Sequence, residues 1–300
     1  MRVDPFYVSN LASSLDQTQS REQQLTSELS SGVRVISLSQ DPLAVGENVL
    51  LLNQIERDDS FTQSANLVQG QLQVADSALG GVVTQLTQAI SLATGADNGT
   101  LNQSQLQSVS NQLAGIRDEL TSLANTSYRG QYIFGGSQTG KQPFTVSTNA
   151  MPATTSYSGD QTVNYLQAPN GQRIQLNLPG DQVFPASGTG SAFQALNNLI
   201  ADYANGVATA TAVQDTQALN AALNSISQQR ATLDNSLSQL TAASDAVTNE
   251  KTQLTAAQTD LMQADLPQLA TQLSLAKSQQ TALEDVISQL GAGSLFDKIN

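Results

Sequence analysis

The segment of the chain that comes nearest to a known chemical motif is a glycine-rich loop at 135–141. Its residues, Gly-Gly-Ser-Gln-Thr-Gly-Lys, match the opening positions of a phosphate-binding loop, in which backbone amides and a lysine hold the phosphates. The next position of such a loop is Ser or Thr, but Gln142 stands here, and Pro143 opposes a helix continuing from the lysine. Because the helix N-terminus supplies much of the phosphate binding, the segment is interpreted as a turn after a strand at 131–134.

Carboxylate pairs are the other candidates for acid–base chemistry, because the chain has no His. The pairs are Asp58 and Asp59, Asp118 and Glu119, and Glu284 and Asp285. All lie in predicted helices, off the apolar stripes described below, and are interpreted as solvated faces. The chain also lacks Cys, which excludes disulfides and metal sites built from thiolate or imidazole ligands. We therefore expect no catalytic residue, no cofactor and no metal site.

The composition favours elongated helices over a compact globule. Aromatic residues make up only 4% of the 300 residues and Trp is absent, so a thick core lacks its usual large side chains. The net charge of −13 argues against nucleic acid and anionic membranes as partners. The first five residues do not begin a secretory signal, and no apolar run approaches the roughly 20 residues that span a bilayer.

The first half of the chain predicts long helices that each carry one narrow apolar stripe. Its first stripe steps by three and four residues through Val8, Leu11, Leu15, Thr18, Glu22, Leu25 and Leu29. Gly32 ends this helix, 33–36 is expected to be extended, and Asp41 and Pro42 are the predicted N-cap and first residue of the next helix. The next stripe runs through Ala65, Val68, Leu72, Ala75, Leu79, Val82, Leu86, Ala89 and Ala93. A further helix is predicted at 102–125.

The residues from about 128 to 185 read as a small β-rich domain. They contain most of the aromatic and Pro residues and are rich in Gly, and short β-type runs at 131–134, 162–166 and 173–178 lie between turn signals. The sequence Pro-Asn-Gly at 169–171 predicts a hairpin turn, since Gly accepts positive φ.

Helical periodicity returns in the last third of the chain. A short helix is predicted at 193–203, followed by two long stretches that break near Pro267. The last apolar stripe continues through Leu269, Leu273, Ala276, Gln280, Leu283, Ile287 and Leu290.

These patterns predict a mainly α fold in which the two chain ends form a long antiparallel helical bundle or coiled coil around a small β-rich insert. The predicted divisions are an N-terminal assembly helix at 1–40, an N-terminal helical rod at 41–127, the insert at 128–190, a C-terminal rod at 191–264 and a C-terminal assembly helix at 265–300.

The apolar stripes at the chain ends have two interpretations, an intramolecular bundle or an interface between subunits, and the second is favoured. The candidate interface residues are Val8, Leu11, Leu15, Leu25, Leu29, Leu266, Leu269, Leu273, Leu283, Ile287 and Leu290. On this hypothesis the end segments lack a partner in a single chain, are partly disordered there, and become ordered only on assembly.

Short motifs along the whole chain resemble those of the bacterial flagellin superfamily, and especially its members at the junction of hook and filament. The resemblance is carried by Leu-Ser-Ser-Gly-Val-Arg-Val at 29–35, by Asp-Pro at 41–42, by Tyr-Ile-Phe-Gly-Gly and Pro-Phe in the insert, and by Ser-Leu-Phe-Asp at 294–297. The motif residues are Arg34, Asp41, Pro42, Tyr132, Phe134, Gly136, Pro143, Phe144, Leu295, Phe296 and Asp297.

The resemblance implies a non-enzymatic structural subunit, exported by the flagellar type III apparatus without a cleaved signal and located outside the cell. Its implied partners are copies of itself in a ring, hook-associated protein 1, flagellin and an export chaperone. The near alternative is the filament subunit itself. A nucleotide-binding enzyme is the distant alternative, disfavoured by Gln142 and by the negative charge.

Overall fold

The computed structural model describes residues 5–35, 38–188, 190–207 and 210–292. The helices are α1 (Pro5–Ser31), α2 (Pro42–Asp97), α3 (Gln103–Ala124), α4 (Gly180–Val183), α5 (Ala192–Ala204), α6 (Ala210–Met262) and α7 (Leu266–Ala292). The strands are β1 (Ser127–Tyr128), β2 (Gln131–Tyr132), β3 (Phe144–Ser147), β4 (Thr154–Tyr157), β5 (Tyr165–Gln167) and β6 (Arg173–Gln175). The mainly α fold with a β-rich middle region is therefore confirmed.

The predicted helix boundaries follow local backbone chemistry. Helix α1 ends before Gly32, whose φ of 69° is readily adopted only by glycine. Helix α2 begins at Pro42, and the Asp41 carboxylate accepts a hydrogen bond from the Ala44 amide at 3.0 Å, as an N-cap does. The helical break near Pro267 is also present, because α6 ends at Met262 and α7 begins at Leu266.

The chain divides into two compact units. We call residues 1–57 with 249–300 the terminal unit, and residues 58–248 the central unit.

The central unit has one continuous apolar core drawn from α2, α3, α5, α6 and the insert. Every residue of the predicted stripe from Ala65 to Ala93 is buried there, because a three-and-four spacing keeps these side chains on one helix face. Polar contacts fix the helices to one another. Arg230 of α6 binds Asp76 of α2 through two hydrogen bonds of 2.8 and 3.1 Å, and Tyr203 of α5 donates to Asp97 of α2 at 2.8 Å.

The interpretation of the carboxylate pairs as solvated is wrong for Asp58. Asp118, Glu119, Glu284 and Asp285 are exposed, but the Asp58 side chain is completely buried. Asp58 lies on the α2 stripe itself, because stepping back from Ala65 by four and then three residues reaches Phe61 and Asp58. The buried carboxylate thus occupies a core position two steps before the stripe recognised from the sequence.

The insert consists of three separate antiparallel hairpins, β1–β2, β3–β4 and β5–β6. The predicted turn at 169–171 joins β5 to β6, and Gly171 has a φ of 85°. The predicted strands at 162–166 and 173–178 are too long. The Asn177 side chain accepts a hydrogen bond from the Asn164 amide at 2.7 Å and donates to the Thr162 carbonyl at 3.0 Å. A side chain therefore replaces the backbone partner where a strand ladder would continue.

Candidate assembly surfaces and motif residues

Helices α1 and α7 of the terminal unit pack against each other in antiparallel orientation. The segment after α1 meets the segment before α7, where Val33 and Gln263 form an isolated antiparallel bridge and the Ala264 amide donates to the Gly32 carbonyl at 3.0 Å. Further along the pair, Lys277 lies 3.9 Å from the Glu22 carboxylate. The two chain ends are therefore each other's neighbours within a single chain.

The pairing brings the end of the first predicted stripe together with the start of the last one. Leu25, Ala264, Leu269 and Ala276 form a small buried cluster, and Leu29 and Leu273 pack against it. Leu11, Leu15, Leu283 and Ile287 are half-buried. The expectation that these stripes lack a partner in one chain is thus wrong for this part, because each helix covers the other.

Three of the predicted interface residues are not accounted for by this pairing. Leu266 remains 45% exposed in the first turn of α7. The side chains of Val8 and Leu290 lie outside the described residues.

The terminal unit also exposes apolar side chains that, apart from Leu266, the stripe analysis did not select. Among the described residues, ten of the fifteen exposed large hydrophobic side chains belong to this unit, which contains little more than a third of the chain. They are Phe6, Tyr7, Leu38, Leu43, Val49, Leu50, Leu52, Leu266, Leu275 and Val286. Leu43 and Leu50 are 72% and 70% exposed and lie two turns apart on α2. Concentrated exposed apolar surface is characteristic of protein interfaces.

The motif residues Arg34 and Asp41 stabilise the connection between α1 and α2. The Arg34 guanidinium lies 3.3 Å from the Asp41 carboxylate and donates to the Leu261 carbonyl at 3.1 Å. The Arg34 amide donates to the Met262 carbonyl at 2.7 Å. The hydrogen bond from the Ala44 amide, together with Arg34, lowers the pKa of Asp41. The pair thus joins the N-cap of α2 to the end of α6, while Pro42 itself is exposed.

The motif residues of the insert form its core. Phe134 and Phe144 are fully buried and pack with Phe184 at centroid distances of 5.4 and 5.7 Å in edge-to-face geometry. Phe144 also contacts Phe193 of α5. The Asn125 side chain binds both the amide and the carbonyl of Phe144, at 2.9 and 2.8 Å. These contacts attach the insert to α3 and α5.

Tyr132 and Pro143 have smaller roles in the same region. Tyr132 is half-buried in β2, and its amide donates to the Thr139 carbonyl at 2.8 Å. Pro143 is buried, and its carbonyl accepts from the Ser158 amide at 2.8 Å. Tyr132 therefore stabilises the turn that links β2 to β3, whereas Pro143 extends the pairing of β3 with β4.

The glycine-rich loop folds around a carboxylate of the chain itself. Asp160 accepts hydrogen bonds from the Ser137 amide at 2.8 Å and from the Ser137 hydroxyl. Gly136 has a φ of 68°, and a Cβ placed there would come within 2.4 Å of Asp160 oxygens, so only glycine fits. Strand β3, rather than a helix, follows the loop. The loop therefore has the geometry of a turn closed by Asp160, which agrees with the interpretation from the sequence.

The comparisons with known proteins point to one family. Residues 7–139 match the model of the bacterial flagellin N-terminal helical region. Flagellar hook-associated protein 3 of Escherichia coli is 27% identical over 280 residues, which cover 86% of this chain and 85% of that protein. Residues 7–139 are thus similar to the bacterial flagellin N-terminal helical region, and most of the chain is similar to flagellar hook-associated protein 3.

Two further proteins extend the comparison. Flagellar hook-associated protein 3 of Salmonella typhimurium is 28% identical over 179 residues, covering 59% of this chain and 54% of that protein. The crystal structure of flagellar hook-associated protein 3 from Legionella pneumophila has the same fold, with a TM-score of 0.62 at 15% identity. That alignment covers 71% of this chain and 98% of the Legionella chain.

The motif residues at the C-terminal end of the chain are not described by the structure, and the described residues offer neither a metal-binding cluster nor a helix fit to span a membrane. Leu295, Phe296 and Asp297 fall beyond the described residues. Among the residues that are described, no group of three or more acidic, His or Cys side chains could hold a metal ion. None of the helices in the described ranges combines the length and the apolar character that crossing a bilayer demands.

We predict that the α1–α7 pair opens more readily than the central unit. Among the described residues, the buried apolar cluster at this pair consists of four side chains, whereas the central core draws on five parts of the chain. Regions with few buried contacts exchange amide hydrogens fastest. In a purified monomer, the amides of α1 and α7 should exchange faster than those of α3 and α5, measured by hydrogen exchange with mass spectrometry. Equal protection in all four helices would contradict this prediction.

We predict that Asp160→Asn weakens the insert at neutral pH but not in strong acid. Hydrogen bonds from Ser137 lower the pKa of Asp160 from 3.8 to about 2. A lowered carboxyl pKa contributes stability above the unfolded-state value, and that contribution disappears as pH falls through the folded-state value. The urea midpoints of the wild type and the variant should therefore differ at about pH 6 and converge below about pH 2. If the two urea midpoints still differed in strong acid, the ionised Asp160 carboxylate would not be the source of the stabilisation.

Proposed function

We propose that this chain is a member of the bacterial flagellin superfamily and a structural subunit of the bacterial flagellum that forms the ring at the junction between the hook and the filament. The observation that carries the proposal is the concentration of exposed apolar side chains in the terminal unit. A chain that stayed monomeric would leave this surface in water. The similarity to two proteins named flagellar hook-associated protein 3 supports the place of the ring.

The proposed partners follow from the position of the ring between the hook and the filament. Copies of this chain would lie on either side of each subunit, with hook-associated protein 1 on the hook side of the ring and flagellin on the filament side. Before secretion through the flagellar type III apparatus, an export chaperone would bind the C-terminal helices. The segments 1–40 and 265–300 would form the assembly helices, and the insert at 128–190 would face outward. The action is structural, so the proposal includes no catalysed reaction.

Assembly on this proposal extends a helix pair that already exists. Within one chain α1 and α7 cover part of each other's apolar stripes, while Leu275 and Val286 of α7 stay exposed. A neighbouring subunit would cover these outer faces, and burial of apolar surface would offset the entropy lost on ordering the helices.

A deletion strain tests the proposal. Cells without this protein should make complete hooks, should lack filaments, and should release flagellin monomer into the medium. Restoring the intact gene should restore filaments and motility. Deleted cells that still assemble normal filaments would refute the proposal.

The abundance of this chain in the flagellum distinguishes a junction subunit from the alternative, a filament subunit. A junction ring needs a few copies of its subunit per flagellum, whereas a filament needs very many. Quantitative mass spectrometry of purified flagella should therefore find this chain at a small fraction of the flagellin. An amount equal to that of the main filament protein would favour the alternative.

A further inference from the structure

The chain contains three Asn-Gly pairs, at 98–99, 170–171 and 205–206, each in a turn where Gly has positive φ. Asn followed by Gly is the pair most open to spontaneous deamidation, because Gly leaves its own backbone nitrogen unhindered. We propose that Asn98 is the site at which this chain is chemically modified by deamidation, and that the folded structure protects the other two.

Asn98 has the features that the reaction requires. It lies in the turn between α2 and α3, is exposed, and makes no hydrogen bond through its side chain to any part of the chain that the structure describes. The Gly99 amide donates only a long hydrogen bond of 3.3 Å, to Ala96. A Cβ placed at Gly99 would meet no atom within 4 Å, so the turn has room to change shape.

The turn at Asn170 is held more firmly. The Asn170 side-chain oxygen accepts a hydrogen bond from the Gln172 amide at 3.0 Å, which fixes the amide group that would react. The Gly171 amide donates to the Ala168 carbonyl at 2.8 Å. Both the side-chain carbonyl oxygen and the attacking nitrogen are therefore held by hydrogen bonds.

The turn at Asn205 is held by packing. The backbone amide of Asn205 caps the end of α5 through hydrogen bonds to α5 carbonyls. The backbone amide of Gly206 donates to the Tyr203 carbonyl at 3.0 Å. A Cβ at Gly206 would come within 2.8 Å of Gln103. Closing a ring at this position requires the surrounding residues to move.

The reaction consumes only solvent water. The Gly99 nitrogen gives up its proton and attacks the Asn98 side-chain carbon. A new carbon–nitrogen bond forms while the bond from that carbon to the side-chain amide nitrogen breaks, and this nitrogen takes up the proton and leaves as ammonia. Water then opens the resulting succinimide at either carbonyl and leaves aspartate or isoaspartate at position 98. No oxidation or reduction takes place.

The product changes the connection between α2 and α3. A new carboxylate would stand at the C-terminal end of α2, where the helix dipole disfavours negative charge. It would also lie next to Asp97, which accepts hydrogen bonds from Tyr203 and Thr216 and so joins α2 to α5 and α6. Isoaspartate would in addition lengthen the main chain just before Asn102, the N-cap of α3.

The test is incubation of the full chain at mildly alkaline pH and physiological temperature, followed by peptide mapping with mass spectrometry. In the folded chain, Asn98 should convert several-fold faster than Asn170 and Asn205. In concentrated urea the three rates should converge, because sequence alone then sets them. Equal rates in the folded chain, or faster conversion at Asn170 or Asn205, would overturn the assignment.

Two variants check the site and its consequence. Asn98→Gln should remove the dominant conversion while leaving the slower sites unchanged. Asn98→Asp should lower the thermal midpoint more than the matched exposed change Asn170→Asp, because only position 98 lies beside Asp97 at the end of a long helix. If Asn98→Asp has no larger effect than Asn170→Asp, the inferred effect on the α2–α3 connection is wrong.

Discussion

Replacing Leu25 with Asp is expected to separate α1 from α7 and to abolish incorporation into the flagellum, while the central unit stays folded. Leu25 is only 2% exposed and lies in the small cluster with Leu269 and Ala276. An ionised carboxylate without a partner in an apolar site costs on the order of several kcal/mol. A cluster of this size offers no comparable stabilisation to absorb that cost.

The separation would be measured by hydrogen exchange and the assembly by complementation of a deletion strain. Leu25→Asp should remove amide protection in α1 and α7 without changing α3 or α5, and cells carrying it should release flagellin. Ser20→Asp is the matched control, because Ser20 is exposed on the same helix and the same charge there remains in water. Normal filaments with Leu25→Asp would contradict the role assigned to this pair.

Replacing Phe144 with Ala is expected to cause the largest loss of stability of any single change in the insert. Phe144 is fully buried and contacts Tyr157, Phe184 and Phe193 at centroid distances of 4.9 to 5.7 Å. Removing a buried Phe side chain and leaving a cavity costs about 3–5 kcal/mol. Since Phe193 belongs to α5, the loss should reach the adjoining helices as well as the strands.

Denaturant titration of the purified chain measures this loss. Near-ultraviolet circular dichroism should report early unfolding of the insert, because most aromatic residues lie there. Tyr165→Ala is the matched control, because Tyr165 is 48% exposed and contacts chiefly the Arg173 guanidinium, an interaction worth about 0.5–1 kcal/mol. Similar shifts for the two variants would mean that the aromatic cluster does not hold the insert together.

Much of the helical architecture follows from short-range rules in the sequence. The three-and-four spacing of apolar residues predicts α1, α2, α3 and α7, because the helical repeat places those residues on one face. The end of α1 at Gly32 and the start of α2 at Pro42 depend on the backbone preferences of single residues. The motifs at 29–35, at 41–42 and in the insert likewise indicated the flagellin superfamily without any structure.

The sequence left the partners of these elements undetermined. An apolar stripe shows that a helix face is buried, but not what buries it, and the stripes of α1 and α7 are partly covered by each other. The burial of Asp58, the replacement of strand pairing by the Asn177 side chain, and the closure of the glycine-rich loop by Asp160 are further examples. Periodicity and turn chemistry are set by neighbours within a few residues, so the sequence by itself determined them. Each of these other features joins residues far apart along the chain, so only the tertiary structure decided which groups meet.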